Sequence, residues 1–372
     1  ALKLIKWGMD TREVIARFES ERQALALMNH SHIASVYDAG ATEQGRLFFA
    51  MEYVSGVPIT DYCDKYRLTI GERLDLFIRV CEGIQHAHQK GILHRDIKPT
   101  NVLVTIQDDK PVPKIIDFGL AKAVSQRLTE KSVYTELGQM IGTPEYMSPE
   151  QADLTNLDID TRTDVYSLGV MLYELLVGAR PYEEKTLRQA GFDEIRRRIR
   201  EVDPPRPSAR LSSLGEKSAT TAEKRRVELL DLERQLKGDL DWVTMKALEK
   251  DRIRRYGSVS ELATDVRRYL SDQPVQARPP SLAYAVGKFV RRNRVIVAAA
   301  GLVLAALLVG LAAAAVGFVQ AGRERDVAEK ARSESEAVTD FLAGMLGAAD
   351  PAELGKDCLL YTSDAADECP AV

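Results

Sequence analysis

The sequence predicts an α+β chain of two lobes, a small strand-rich front and a large helical back, followed by one membrane-spanning helix. Three observations carry this. Short strand-like runs open the chain (ALKLIK) and recur at IASVYDAG and RLFFAMEYV, whereas helical periodicity dominates beyond residue 160. VLVTI and KIIDFG read as a further strand pair, which places a cleft between the two parts. Residues 295–319, VIVAAAGLVLAALLVGLAAAAVGFV, carry no charged or strongly polar side chain.

The elements follow in order. Residues 1–6 read as the end of a strand. Asp10 and Glu13 give a capping-box-like start to a helix reaching about Met28, with Val14, Ile15, Phe18, Leu25 and Met28 on its apolar stripe. Glu21 falls on that stripe, and a carboxylate facing a core must find a cation. Two strands flank a turn at Glu43 to Arg46. A Gly-Val-Pro turn then leads into the helix around ERLDLFIRVCEGIQHAHQKG, which is expected to stop at Gly91. Residues 120–147 have little regular pattern. Helices are predicted at TDVYSLGVMLYELLVG, FDEIRRRIREV, KRRVELLDLERQL, DLDWVTMKALEK and SVSELATDVRRYL. VDPPRPSARLSS reads as a Pro/Ser loop and Pro274 to Pro280 as a linker.

As a helix the apolar run is roughly 37 Å long, against a hydrocarbon core of about 30 Å. With its Arg-rich entry, KFVRRNR, it reads as a membrane span rather than a buried core helix. AGRERDVAEKARSESEAVTDFLAGML then reads as an amphipathic helix. The tail from Cys358 to Glu368 resembles the conceptual translation of a sequencing adaptor and is assigned no function.

Composition sets the outer limits. The chain has 372 residues, 45% hydrophobic and 28% charged, enough for one large or two medium domains. A formal net charge of −4 supplies no basic field, so no nucleic-acid partner is expected. Cys63, Cys81, Cys358 and Cys369 stand far apart, without CxxC or a Cys/His cluster. That argues against zinc and disulfide frameworks and for a reducing compartment.

The chemistry concentrates in ILHRDIKPTNVLV, where Asp96 lies between Arg95 and Lys98, with Asn101 five positions on. On a loop after a helix and before a strand pair, such a carboxylate can accept a proton from an incoming hydroxyl. Lys98 would offset charge on a transferring phosphoryl group, and Asn101 supplies a hard oxygen to a metal. Asp117, in IIDFGLA, is brought back beside Asn101 by the hairpin, so the two can share Mg²⁺. Lys3, paired with Glu21, would hold nucleotide phosphates and resolve the inward carboxylate.

HRDIKPTN, DFG, GTPEYMSPE and TDVYSLGV, in this order, resemble the eukaryotic-type serine/threonine protein kinases in their bacterial form, from Ala1 to about Leu270. The resemblance implies a bilobal protein-kinase-like fold with an incomplete small lobe, and ATP and Mg²⁺ as cofactors. By position it implies Lys3 on the α- and β-phosphates with Glu21 as partner, and Asp96 as catalytic base. Lys98 would steady the γ-phosphate, and Asn101 with Asp117 would bind metal. Met51 takes the gatekeeper position, Glu52 to Val54 the hinge, and Ala1 and Leu103 the two sides of the adenine. His94 and Phe118 would stack with Leu25 and Val36 as an apolar column between the lobes. Asp164 would hold the catalytic loop by its backbone, and Glu150 would pair with Arg255. Arg95 implies regulation by activation-segment phosphorylation, with Thr135 the expected site and Thr143 structural in the substrate-docking loop.

The family's Gly-rich loop is expected upstream of Lys3, and no GxGxxG stands there. The chain therefore reads as N-terminally truncated, which leaves the fragment's own activity open. The domain boundaries expected are a kinase domain at 1–271, a basic juxtamembrane linker at 272–294 and a transmembrane helix at 295–319. The start of an extracytoplasmic helical region follows at 320–357, then the artefactual tail at 358–372. Basic residues within about fifteen positions of the span tie between its sides, so cytosolic ATP decides the orientation. The expectation is a single-pass protein of the cell (inner) membrane, its kinase domain cytoplasmic, acting on protein substrates, with a homodimer for trans-autophosphorylation left open. The alternative is a membrane-anchored pseudokinase or scaffold module, against which the intact Lys3, Asp96, Asn101 and Asp117 speak.

Overall fold

The computed structural model describes residues 1–4, 28–43, 46–118, 144–153, 159–182 and 192–347, residues 192, 193 and 347 by backbone alone. The chain divides into two units, Ala1–Arg292 and Asn293–Val372.

In the first unit, β1 (Leu2–Leu4), β2 (Val36–Ala41) and β3 (Leu47–Met51) form an antiparallel sheet in the order β1-β3-β2, with Lys3 opposite Phe49. A second sheet contains β4 (Val57–Pro58), β5 (Val102–Gln107) and β6 (Lys110–Ile115), so the hairpin expected after the Asp96 loop is present. The segment before β2 ties to this second sheet. Ala34 N–H donates to Ile115 O at 2.9 Å and Ile115 N–H to His32 O at 2.8 Å.

Most of the unit is helical. After α1 (Ile59–Lys65), α2 (Ile70–Gln89) begins at a capping box. Thr69 Oγ1 accepts from Glu72 N–H, and the Glu72 carboxylate accepts from Thr69 N–H at 2.7 Å. Leu74, Phe77, Val80, Cys81, Ile84 and Ala87 line its inner face with no exposed surface. It ends as the sequence predicts. Gly91 takes φ 75°, and Gly91 and Ile92 N–H return to His88 O and Ala87 O at 2.9 and 3.0 Å, a Schellman closure.

Then come α3 (Pro149–Ala152), α4 (Thr161–Val177), α5 (Phe192–Glu201), α6 (Pro207–Ser213), α7 (Glu216–Glu223), α8 (Leu229–Gln235), α9 (Asp241–Ala247), α10 (Val259–Leu270) and α11 (Leu282–Arg292). Helix α4 is nearly all buried, and its Leu168, Met171, Leu172 and Leu175 belong to one core shared with α2, α9 and α10. Two buried guanidiniums close its C-terminal end. Arg225 donates to Leu176 O at 2.6 Å and Leu175 O at 2.8 Å, while Arg73 reaches Leu175 O at 3.4 Å as well as Leu68 O, Cys63 O and Asp64. Burial beside Arg73 pushes Arg225 down to about 9, and the last-turn carbonyls supply the partial negative charge it needs.

Two segments differ from expectation. The Pro/Ser stretch contains α6, because Pro207 sits at the first helical position, where its missing N–H costs nothing, and Leu211 is fully buried. The linker after residue 273 is packed down. Val275 joins the core, and Gln276 and Ala277 N–H each donate to the buried Asp265 carboxylate at 2.8 Å. The compact unit runs to Arg292.

The second unit contains α12 (Arg294–Gly347), 54 residues in one helix, so the apolar run and the amphipathic stretch beyond it are continuous. By length and composition this helix could cross a membrane.

Gly169 lets α4 approach α9: a Cβ there would lie 2.8 Å from Ala247 Cβ. Gly169→Ala, which would stabilise an open helix by about 1 kcal/mol, should instead cost about 1–3 kcal/mol by overpacking. A lower thermal midpoint is the expected reading, and an unchanged or raised one would refute the close approach.

Candidate active site

The loop between α2 and β5 is organised from the other side of the core. Asp164, in the first turn of α4 and fully buried, accepts Arg95 N–H on Oδ1 at 2.8 Å and His94 N–H on Oδ2 at 2.8 Å. His88 Nε2 lies 2.7 Å from the same Oδ2. Burial alone would push this carboxyl up. The hydrogen bond and charge of His88, with the His94 amide, outweigh it and hold Asp164 below its ordinary value. Arg95 sits at φ 62°, a left-handed conformation costly for a residue with a Cβ. It is held there from both faces, since its carbonyl also accepts from Gln151 Nε2 of α3 at 2.8 Å.

His94 is buried with both ring nitrogens committed. Nδ1 faces Asp96 N–H at 3.3 Å, so Nε2 carries the hydrogen toward Ile116 O at 3.2 Å. Burial keeps the ring's pKa below its usual value, in keeping with this neutral tautomer. Its ring lies 4.7 Å from that of Phe118, the expected column contact. Val36 packs on the same core, and Leu25 lies outside the described residues.

Two predicted residues converge on one oxygen of a third. Asp96 Oδ2 receives Lys98 Nζ at 2.8 Å and Asn101 Nδ2 at 3.1 Å, and Asn101 Nδ2 also donates to Asp96 O at 2.8 Å. A 3₁₀ turn over Pro99–Asn101 makes this possible by folding Asn101 N–H back to Lys98 O. With the amide nitrogen spent on Asp96, the carboxamide oxygen of Asn101 faces away from it. Ile116 N–H donates to Asn101 O at 2.9 Å, which brings the Asp117 backbone alongside.

Asp117 is left-handed at φ 59°. That setting leaves its carboxylate about one-third exposed while Phe118 turns into the core. Lys3 Nζ of β1 lies 2.8 Å from Asp117 Oδ1. Glu21, the partner expected for Lys3, lies outside the described residues, as do Thr135 and Thr143. The hard oxygens of Asp117 and Asn101 suit Mg²⁺. Among the described residues no group of three or more acidic, His or Cys side chains could hold a metal alone.

The segment after β3 is tied down by a contact that sequence reasoning missed. The Glu52 carboxylate takes Lys114 Nζ of β6 at 2.9 Å and Ser35 N–H at 3.1 Å, and Glu52 N–H donates to Ser35 O at 2.8 Å. Both the side chain and the N–H of Glu52 are therefore engaged within the protein. Met51 pairs with Ala1 through Met51 N–H to Ala1 O at 2.8 Å. Met51, Val54 and Leu103 are partly buried, and Ala1 is exposed. No motif marked Lys114, Gln151 or His88. His88 alone carried a signal, as an ionisable residue late in an otherwise apolar helix face.

Below the loop, Glu150 and Arg255 form a buried bidentate pair at 2.7 and 2.8 Å, across 105 residues. Burial would raise the Glu150 carboxyl, and Arg255 more than reverses this, holding it below its usual value. Thr163 Oγ1 and the carbonyls of Glu249, Arg162 and Lys250 satisfy the remaining positions.

A strand lobe carrying a lysine, a helical lobe carrying an Asp–Lys–Asn loop, and a left-handed Asp-Phe at the end of a hairpin together define a kinase-type fold. A family model described as the protein kinase domain matches residues 1–266, and the chain belongs to that family. It is 34% identical over 265 residues to "Serine/threonine-protein kinase PknB" of Mycobacterium tuberculosis, covering 70% of this chain and 37% of that one. It is 37% identical over 218 residues to "Serine/threonine-protein kinase pkn3" of Myxococcus xanthus, covering 57% of this chain and 39% of that one. A solved structure, the M. tuberculosis PknI kinase domain, aligns at 26% identity and a TM-score of 0.49, covering 72% of this chain and 84% of that one. The chain spans little more than a third of the length of the curated relatives named here.

Substitutions at two positions test this scaffold. Arg255→Ala should destabilise the first unit by about 3–5 kcal/mol by stranding a buried carboxylate, and Arg255→Lys should recover only part of that. Full recovery with lysine in denaturant unfolding would contradict the bidentate geometry. Asp164 has a depressed folded pKa, so its contribution is complete above the unfolded value, roughly pH 4. It is lost as pH falls through the lower folded value. Asp164→Asn should therefore be less stable than the parent at neutral pH, and the gap should narrow in acid. A gap independent of pH would show that the charge of Asp164 is not what matters.

Proposed function

We propose that the chain is the catalytic part of a membrane-anchored serine/threonine protein kinase, transferring the γ-phosphoryl of ATP to Ser or Thr hydroxyls of protein substrates. The observation that carries this reading is the convergence of Lys98 and Asn101 on one oxygen of Asp96, with Asp117 and Lys3 paired alongside.

In this reading Asp96 orients the substrate hydroxyl and takes its proton, and Lys98, already on Asp96, places positive charge where the γ-phosphoryl passes. Asn101 and Asp117 would hold Mg²⁺, which when bound neutralises charge on the phosphates. Lys3 would move from Asp117 to the α- and β-phosphates, with Glu21 as its second partner. The backbone of Glu52 to Val54, with Met51 as gatekeeper, would meet the adenine between Ala1 and Leu103. The names of the curated relatives support serine/threonine specificity, as do Lys98 and Thr143. Arg95, on the strained peptide beside Asp96, would receive a phosphate on the activation segment, Thr135 first among the candidates, within a homodimer acting in trans. The apolar length of α12 supports a single pass through the cell membrane, with the first unit on the cytoplasmic side where ATP is.

Purified protein with a Gly-rich loop restored upstream of Lys3, incubated with Mg²⁺-ATP, should acquire phosphate on serine or threonine, mapped by mass spectrometry. Asp96→Asn should lower that rate by about 10²–10⁴-fold and leave nucleotide binding near the parent value. Nucleotide binding with no phosphate transfer by the parent would overturn the enzyme reading in favour of a scaffold.

A further inference from the structure

Helix α11 has two faces with different fates. Tyr284 and Lys288, one turn apart, are its partly buried positions, and both face the helical lobe. Lys288 Nζ lies 2.8 Å from Asp239 Oδ2, 3.6 Å from Asp272 Oδ1 and 5.7 Å from the centre of the Tyr269 ring. Tyr284 Oη accepts Val275 N–H at 3.1 Å, and Arg278 covers its ring at 4.3 Å. Leu282, Val286 and Val290 lie on the opposite face at i, i+4 and i+8, between 40% and 87% exposed. An exposed apolar stripe of this kind, held outward by a polar dock on the other side, marks an interaction surface.

The chain indicates which partner. From Gln273 to Arg323 there is no acidic residue, and Arg291, Arg292 and Arg294 follow the stripe directly. One residue, Asn293, separates α11 from α12, whose apolar run begins at Val295. A helix with an apolar face, basic residues at its end and a membrane span one residue on has the make-up of an interfacial helix on an anionic lipid surface. We propose that α11 lies in the headgroup layer, with Leu282, Val286 and Val290 toward the acyl chains, and so sets the helical lobe on the membrane through Lys288 and Tyr284. The inference rests on the membrane reading of α12.

The test uses the whole chain reconstituted into phosphatidylcholine vesicles, with and without phosphatidylglycerol. Val286→Trp and Gly287→Trp each add an indole, one on the stripe and one on the flank nearer the dock, where a side chain meets open space. Emission is read as the difference from the parent, which already holds Trp7 and Trp242. Flotation reports independently whether the chain is anchored. The expected result is flotation, with a blue-shifted indole at 286 quenched about twofold by brominated lipid, more strongly with the anionic lipid, and little quenching at 287. A floating chain whose indole at 286 stays solvent-like in both lipids would overturn the proposal. So would an indole at 286 that is buried yet untouched by brominated lipid, since another protein surface, such as a second copy, would then cover the stripe. Failure to float would remove the membrane reading itself and this inference with it.

Discussion

The buried carboxylate of Asp164 is the constraint on which the candidate site depends. Three donors, two of them consecutive backbone amides, end on its two oxygens, so the peptide entering Asp96 has one permitted orientation. That orientation demands a left-handed Arg95, a cost of about 1–3 kcal/mol met locally by the Asp164 and Gln151 hydrogen bonds. From there Asp96 N–H reaches His94, the 3₁₀ turn swings Asn101 round, and Asn101 O fixes the strand leading to Asp117. Position is thus passed from a core helix to the Asp96 cluster through hydrogen bonds with little side-chain freedom.

The same logic recurs at larger scale. Helix α4 offers Asp164 at its start and receives two guanidiniums at its end, so both termini are tied to other parts of the lobe. Glu150 and Arg255 fasten α3, and through Gln151 the Arg95 peptide, to the segment before α10. These pairs contribute little net stability as pairs, because desolvation offsets their attraction. What they supply is a single arrangement, since any alternative leaves a charge buried without a partner.

How much of this was legible in the sequence depends on the range of each interaction. The Asp96 cluster spans six residues, and its logic could be read directly. So could the capping glycine of α2 and the hairpin after Asn101. Asp164 and the Glu150–Arg255 pair came from the family resemblance, since no local pattern links residues about 70 or 105 positions apart. The Glu52–Lys114 tie was missed for that reason, and Lys114 reads as an ordinary strand-edge lysine. The Pro/Ser stretch misled because proline breaks a helix inside it but starts one at the first position. The linker misled because low hydrophobicity says nothing of backbone amides, and amides are what Asp265 binds.

Asp265 has a mechanical consequence. Tyr256, Arg268 and the amides of Gln276 and Ala277 all end on this one side chain, while Val275 is sealed in the core beside it. A pull on the chain from beyond residue 278 loads the Lys288 and Tyr284 contacts first, then two parallel amide–carboxylate bonds. Such bonds, stretched together, yield together, so the clasp stays shut until it fails as a unit. Any tension on the chain beyond α11 would be stopped at the edge of α10 rather than spread through the helical lobe.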